Sequence, residues 1–455
     1  MISVSLSQLA KVLDAQLIGS DYTITQVSTD TRKIESNTLF IALIGERFDA
    51  HDFVQQAVDN GAKALLVSRP CDVDNGVAQL VVRDTKLALG QLGAWIHKQC
   101  DIPTVAITGS CGKTTVKEML ASILSAQGKV TYTAGNFNNE IGAPLTLLRS
   151  EPSDDYAVIE LGANHIGEIA YTTALVKPDI ALVNNVAAAH LEGFGSIDGV
   201  KIAKGEIYQG LPENGVAVMN LDSHGGDRWS EVLADKKIVS FSVNDTKADL
   251  FASDISINEL GSAQFLMQTP LGSITVQLSI IGRHNISNAL AAAALAIECG
   301  IELEDIKHGL THLMEVKGRV EAIELSSSIR LIDDSYNASV PAMNAAVDLL
   351  SSFQSQRWLI LGNMAELGGE SLALHRQVGE YAARFNFEYV LTYGDDAKVI
   401  SELCHGHHFE THERMNTYIE QQLEQHNKQH HTLLVKGANS AGMSKIVAAL
   451  KENHS

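Results

Sequence analysis

Nowhere in its 455 residues does the chain stay apolar for the roughly 20 positions that a bilayer-spanning helix requires. Its start, MISVSLSQLAKVLDAQL, places Lys11 and Asp14 where a secretory signal would be apolar. A cytoplasmic protein without membrane insertion is expected. Paired thiols are missing too. The five cysteines, Cys71, Cys100, Cys111, Cys299 and Cys404, are odd in number and never spaced C-x-x-C, so neither a disulfide framework nor a thiolate zinc cage is indicated. Such usage suits a reducing compartment. Positive charge is short as well: 34 Lys and Arg against 54 Asp and Glu leave a formal charge of −20, which argues against a nucleic-acid partner. An anionic ligand would have to be held by local features. With 45% hydrophobic and 19% charged residues, the composition is that of a globular protein.

From about residue 102 one pattern recurs: a short apolar run, a polar or glycine corner, then a helical stretch. The runs are IPTVAIT, YAVIEL, DIALVNN, GVAVMN, RLIDD, RWLILG, YVLTYG and TLLVKG. Continuous apolar strands separated by helices imply parallel sheets covered on both faces. In such sheets ligands sit at the carboxyl ends of the strands. Polar residues gather there: Thr108, Glu160, Asn184, Asp333, Asn363 and Lys436.

One of these corners carries a phosphate-loop pattern. In AITGSCGKTTVKE the strand stops at Thr108, Gly109 and Gly112 free the backbone to aim successive N–H groups inward, and a helix follows whose positive end faces the same place. Lys113 reaches toward the outer phosphates and Thr114 offers a hydroxyl to Mg²⁺. The first glycine of G-x-x-x-x-G-K-[ST] is absent, because Ile107 occupies its position inside the strand. A phosphate loop alone leaves kinase, ATPase and ligase open. Glu160, at the end of YAVIE, is placed to complete a Mg²⁺ shell, although a strand-end glutamate can equally be solvated. His190 follows another strand, where a packed or capping histidine is the bland alternative. Lys204 is less ordinary, since it lies on an apolar-flanked helix, AKGEIY.

These motifs, taken together, resemble the Mur ligases, the ATP-dependent amino-acid-adding enzymes of peptidoglycan synthesis. TGSCGKTT, GNFNNEIG, ELGANHIGEI, NNVAAAHLEGFG with AKGEI, GRHNISNALAA, KGRVE, LIDDSYNAS and MAELG occur in the family order across essentially the whole chain. GERFDAHDF, HLEGFGS, DDSYNA and MAELG are similar to the branch that adds D-alanyl-D-alanine to UDP-N-acetylmuramoyl-tripeptide, and no D-N-P-R motif of the diaminopimelate- or lysine-adding branch is present. The family uses a shortened loop without the distant glycine. The resemblance implies an α/β fold of three domains: a small N-terminal α/β domain over 1–84 for the UDP-sugar, a central P-loop-type parallel-sheet ATPase domain over 85–317, and a Rossmann-like α/β domain over 318–455 for the incoming dipeptide.

The implied reaction begins with attack of the tripeptide carboxylate on the γ-phosphate of ATP, and the dipeptide amine then attacks the acyl phosphate. The ATP set implied by the resemblance is Thr108, Gly109, Ser110, Cys111, Gly112, Lys113, Thr114 and Thr115, with Asn285 and Asn288 near the adenine, Arg319 near the γ-phosphate, and Asp334 and Tyr336 near the ribose. Asn285 and Asn288 read almost as well as helix N-caps. Lys113, Glu160, His190 and Lys204 form the implied catalytic set, in which Thr114 and Glu160 hold one Mg²⁺, His190 a second, and Lys204 carries a carbamate that supports the metals. Asn136, Asn138 and Asn139 are placed in a substrate-facing loop, and Thr31, Arg32 and Arg47 are candidates for the UDP-sugar. Three positions depart from the pattern: Asn363 where Asp is common, Asn439 where Arg is usual, and NASVPAM for N-A-N-P. The second departure leaves Lys436 as the cation for the dipeptide carboxylate.

Cys404, His405, His407 and His408 could be written as a zinc site, but adjacent residues rarely converge on one centre, and exposed histidines near a helix end explain them. The expectation is a monomeric ligase. A related ligase adding another amino acid and an ATP-dependent switch stay open as alternatives.

Overall fold

The computed structural model describes residues 1–45, 47–73, 76–223, 225–313 and 318–454. The segment 314–317, beside the expected boundary at 317, lies outside the described residues, as does Glu46 of GERFDAHDF. Three larger sheets order the chain. The first combines β1 (Gln16–Ile18), β2 (Gln26–Ser28), β3 (Thr38–Ile41), β4 (Ala64–Val67) and β5 (Ala78–Val81) in the order β1-β5-β4-β3-β2, parallel except for the β1–β5 pair. Helix α1 (Thr85–Cys100) starts at Asp84, whose carboxylate accepts the N–H groups of Lys86 and Leu87. It sends Ala88, Leu89, Leu92 and Ile96 into the core of this first unit and also packs on two helices of the next.

The central sheet is built from β6 (Thr104–Thr108), α2 (Lys113–Ser125), β7 (Val130–Tyr132), α3 (Gly142–Leu147), β8 (Tyr156–Glu160), α4 (Glu168–Val176), β9 (Ile180–Val183), α5 (Leu191–Phe194), α6 (Ile197–Gly205), β10 (Val216–Asn220) and β11 (Lys237–Ser242). Three strands, β12 (Leu250–Ile257), β13 (Ser262–Thr269) and β14 (Gly272–Ile281), then extend it before α7 (Asn285–Glu298), giving the order β14-β13-β12-β11-β10-β9-β6-β8-β7. Alternation along each strand supplies two cores. Val105 and Ile107 of β6 face α2 and the alanine-rich α7, whereas Ala106 faces α4 and α6. The pairings β12–β13 and β13–β14 are antiparallel, which an all-parallel reading of the region had not anticipated. The signal was present: QFLMQT-PL-GSITVQLSI alternates with period two around a tight turn.

The third unit pairs β15 (Glu321–Ser326) antiparallel with β16 (Ile329–Asp334), then continues in parallel. After α8 (Val340–Ser351) come β17 (Gln356–Gly362), α9 (Ser371–Ala382), β18 (Tyr389–Tyr393), β19 (His407–Phe409) and β20 (His431–Lys436), in the order β15-β16-β20-β17-β18-β19. Trp358 and Ile360 of β17 point into one core and Leu359 and Leu361 into the other, again because successive side chains alternate. Among the described residues no helix is long and apolar enough to cross a membrane.

Candidate active site

The register of the central sheet brings the polar strand ends together. Glu160 of β8 pairs with Ile107 and Val183 of β9 pairs with Thr108, so the loops after β6, β8 and β9 leave the sheet side by side. Above them opens a cavity of about 700 Å³ whose far wall comes from the third unit, through Arg319, Asp334, Tyr336, Glu366 and Lys436.

The phosphate loop is clamped by the residues that follow β9. The N–H of Ser110 donates to Asn185 O at 2.9 Å, that of Cys111 to Asn185 Oδ1 at 2.9 Å, and the Asn184 and Asn185 side-chain amides donate to Cys111 O. The expectation that successive loop amides all point at a ligand is thereby corrected: those of Ser110 and Cys111 are spent on Asn185. What remains for an anion is the first turn of α2, whose N–H groups lack intrahelical partners and whose Lys113, Thr114 and Thr115 line the cavity. Asn185 was missed in the sequence, although the doubled asparagine after DIALV was visible.

Gly112 has φ +76°, and a Cβ there would lie 2.5 Å from Asn288 Oδ1 and 2.6 Å from Asn184 Nδ2. Both partners are buried and hydrogen-bonded to each other at 3.1 Å. Gly112→Ala is therefore expected to lower stability by about 1–3 kcal/mol and to weaken nucleotide binding. Thermal unfolding with and without ATP measures both; an unchanged midpoint together with unchanged ATP affinity would contradict the clash.

Glu160 is buried, yet its carboxylate is paired with no cation among the described residues. Its oxygens accept from Thr114 Oγ1 at 2.9 Å and from Asn138 Nδ2 at 2.7 Å, and its N–H donates to Thr133 Oγ1 at 3.0 Å. Lys117, fully buried, fixes the carbonyl of Thr133 at 2.8 Å. An anion held by neutral groups, with the Lys113 ammonium nearby but in no direct ion pair with it, fits a hard divalent cation with oxygen ligands. Lys113 donates to Gly109 O at 2.8 Å; burial lowers its pKa, nearby Glu160 raises it and Arg319 lowers it. Among the described residues no three His, Cys, Asp or Glu side chains are arranged to hold a metal ion, so any ion would draw further ligands from phosphate oxygens and water.

His190 takes a left-handed backbone, φ +53°, and its Nδ1 touches a carboxylate oxygen of Glu366; burial lowers its pKa. Lys204 is 1% exposed on α6, with no hydrogen bond or ion pair among the described residues, and its Nζ lies 5.2 Å from the Phe194 ring centroid. Burial, reinforced by the charge of Lys113, brings its pKa down to about 7. It stands behind the cavity wall rather than in it.

Not every expected residue reaches this site. Thr108 is buried, with its hydroxyl on Leu161 O at 2.7 Å, and neither it nor Gly109 lines the cavity. Asn285 and Asn288 are not N-caps, since they lie inside α7 after His284. Asn285 is hydrogen-bonded to Ile281 O and to Asn288 Nδ2 and is off the cavity, whereas Asn288 lines it. Asn136 and Asn138 line the cavity; Asn139 does so too, while its Oδ1 accepts from Gly142 N at the start of α3. The Arg319 guanidinium stacks on the Tyr336 ring at 4.4 Å. Lys436 spends its ammonium on Asp334 Oδ2 at 2.6 Å and Asn337 O at 2.9 Å, so a dipeptide carboxylate would have to compete with Asp334. Thr31 is bound to Gln56, Arg32 pairs with Asp30 and Arg47 is exposed; all three sit in the first unit, away from this cavity. Asn363 has a structural task, accepting from Ala397 N at 2.8 Å. His407 and His408 belong to the edge strand β19 rather than to a helix end, and His408 Nδ1 is 3.0 Å from Thr392 Oγ1.

Comparison with known proteins agrees with this architecture. Residues 23–94 match the Mur ligase family catalytic domain, 107–296 the Mur ligase middle domain, and 318–439 the Mur ligase glutamate ligase domain. The chain is 52% identical over 454 residues to the UDP-N-acetylmuramoyl-tripeptide–D-alanyl-D-alanine ligase of Escherichia coli (strain K12), covering 100% of this chain and 99% of that one. Its fold superimposes on a crystal structure of MurF from Acinetobacter baumannii with TM-score 0.94 at 37% identity, covering 99% of each chain. The MurF ligase of Thermotoga maritima in complex with ADP aligns with TM-score 0.83 at 26% identity over 94% of this chain and 97% of that one. With more than half of all positions shared along both full lengths, and three domain matches in chain order around the phosphate loop, the chain belongs to the Mur ligase family.

Proposed function

We propose that this chain is a cytoplasmic ATP-dependent ligase that joins D-alanyl-D-alanine to UDP-N-acetylmuramoyl-tripeptide in peptidoglycan precursor synthesis, the reaction for which its Escherichia coli relative is named. The observation that carries the reading is the buried Glu160, in no direct ion pair, beside Thr114, Lys113 and the first turn of α2, facing cationic residues of a second α/β unit across one cavity.

ATP lies with its phosphates on the start of α2, where the N–H groups of the first turn and Lys113 bind the outer oxygens. The tripeptide carboxylate attacks the γ-phosphorus, the bond to the β–γ bridging oxygen breaks, and ADP leaves an acyl phosphate. The dipeptide amine then adds to the acyl carbon, a proton is lost from nitrogen, and inorganic phosphate departs. Two anions must meet for the first step, so positive charge has to converge there. Lys113 and Arg319 supply it from opposite walls. Thr114 and Glu160 would hold one Mg²⁺ and His190 a second, and these ions would neutralise phosphate charge as the transferred group moves. Lys204 is the site of a carbamate: its buried, readily neutralised amine suits reaction with carbon dioxide, and the resulting anion would offset the ions.

Asn138 orients Glu160, Asn136 and Asn139 border the acyl end, and Asn288 and Tyr336 border the nucleoside. Thr31, Arg32 and Arg47 receive the UDP moiety on the first unit. The working division is 1–84, 85–317 and 318–455, with α1 bridging the first two. A coupled assay tests the whole reading: ADP release in the presence of UDP-tripeptide is expected to depend on D-alanyl-D-alanine and on Mg²⁺. ADP formation indifferent to the dipeptide would refute it, and dependence on a different amino acid would move the chain to another branch.

A further inference from the structure

One carboxylate at the cavity wall has no task in the reaction above. Glu366 lies in the MAELG loop that follows β17, and it crosses from the third unit to the central one. Its carboxylate touches His190 Nδ1, and its carbonyl oxygen accepts the N–H of Glu192, in α5, at 3.1 Å. Both members of the pair are non-glycine residues in the left-handed region, His190 at φ +53° and Glu366 at φ +59°. Backbone of that kind persists only where its surroundings hold it, and here it occurs on both sides of one contact.

The loop is held from behind. His375 is fully buried: its Nε2 accepts the Met364 N–H at 2.8 Å, and its Nδ1 bonds Ser371 O at 2.7 Å. The preceding residue, Asn363, adds to the same anchor by accepting from Ala397 N and Ala438 N. Glu366 is thus presented on a rigid support, while its side chain, 45% exposed, still borders the cavity.

We propose that Glu366 is a positioning residue for His190. A carboxylate set against Nδ1 favours the proton on that nitrogen and leaves a lone pair on Nε2, so the imidazole is set for its task only when the third unit is docked on α5. This rests on the function proposed above and adds to it a link between docking and assembly of the site.

The test uses Glu366→Gly and Glu366→Asn. Glycine and asparagine tolerate positive φ and keep the backbone bond to Glu192, but neither reaches Nδ1 with a carboxylate. Expected is a fall in kcat of roughly 10–100-fold with KM for ATP, UDP-tripeptide and dipeptide unchanged. In ¹⁵N-histidine spectra His190 is expected to change from the Nδ1–H tautomer to a mixture. His190→Asn combined with Glu366→Gly is expected to be no worse than His190→Asn alone. The control Glu370→Gln, on the exposed continuation of the same loop, should match wild type. An unchanged tautomer, wild-type kcat, or fully additive losses would overturn the proposal. Were wild-type ADP release independent of dipeptide, the ligase reading would fall, while the tautomer measurement would still decide the contact.

Discussion

Lys204→Ala is expected to abolish ligation, by on the order of 10²–10³-fold in kcat, without unfolding the protein. The side chain is 1% exposed and no acceptor or carboxylate pairs with it among the described residues. A buried ammonium with no partner is costly, which is why its pKa is driven down to about 7, through burial first and the charge of Lys113 second. Lys204→Met, which keeps the volume without the charge, should leave the thermal midpoint unchanged or raised, the opposite of what loss of a structural ion pair would do. A neutral amine is the species that takes up carbon dioxide, so the proposed carbamate would give this burial a purpose. Two measurements follow. Formate, acetate or bicarbonate should restore part of the alanine variant's activity by entering the space left behind, and ¹³C-labelled bicarbonate should give a carbamate signal in the wild type only. A folded variant that no short acid rescues, together with a wild type that shows no such signal, would remove the carbamate from the mechanism.

The second large effect is expected at Lys113. Its ammonium donates to Gly109 O at 2.8 Å, and its electrostatic surroundings are Glu160, which attracts, and Arg319, which repels. Two cations on opposite walls of one cavity repel each other until polyphosphate lies between them, so much of their stabilisation is realised in the bound complex. Lys113→Ala should lower kcat by on the order of 10³-fold and weaken ATP binding. Lys113→Arg should recover little, because a planar fork does not replace a compact ammonium at the end of a tight loop. Binding of the UDP-tripeptide should be nearly unaffected, since Thr31, Arg32 and Arg47, the residues proposed to receive it, lie in loops of the first unit, away from this cavity. Calorimetric titration of each ligand separates the two; a parallel loss of UDP-tripeptide affinity would place the UDP moiety against the phosphate loop instead.

Much of the site was legible because it sits where apolar periodicity stops. Thr108, Glu160 and Asn184 stand at the ends of continuous strand runs, and register in a parallel sheet carries such ends to one edge, where Glu160 lines the cavity while Thr108 and Asn184 brace the loops behind it. Asn363 shows the limit of that logic. It too ends a strand, but its side chain turns to Ala397 and ties a loop. The antiparallel β12–β14 segment escaped for another reason: its strands alternate and were not among the continuous apolar runs from which the parallel sheet was read.

What the chain's order of residues determined by itself was therefore the α/β class and the phosphate loop without its first glycine, with a set of candidates for the chemistry, since these depend on spacing within a single element. Only the tertiary structure decided which of them work together. Asn185 occupies two loop amides, Asn285 is absorbed into α7, Lys436 is committed to Asp334, and Glu366 meets His190. Glu366 and His190 are 176 residues apart, and whether two such side chains touch is set by how two separate sheets dock, which no local periodicity encodes.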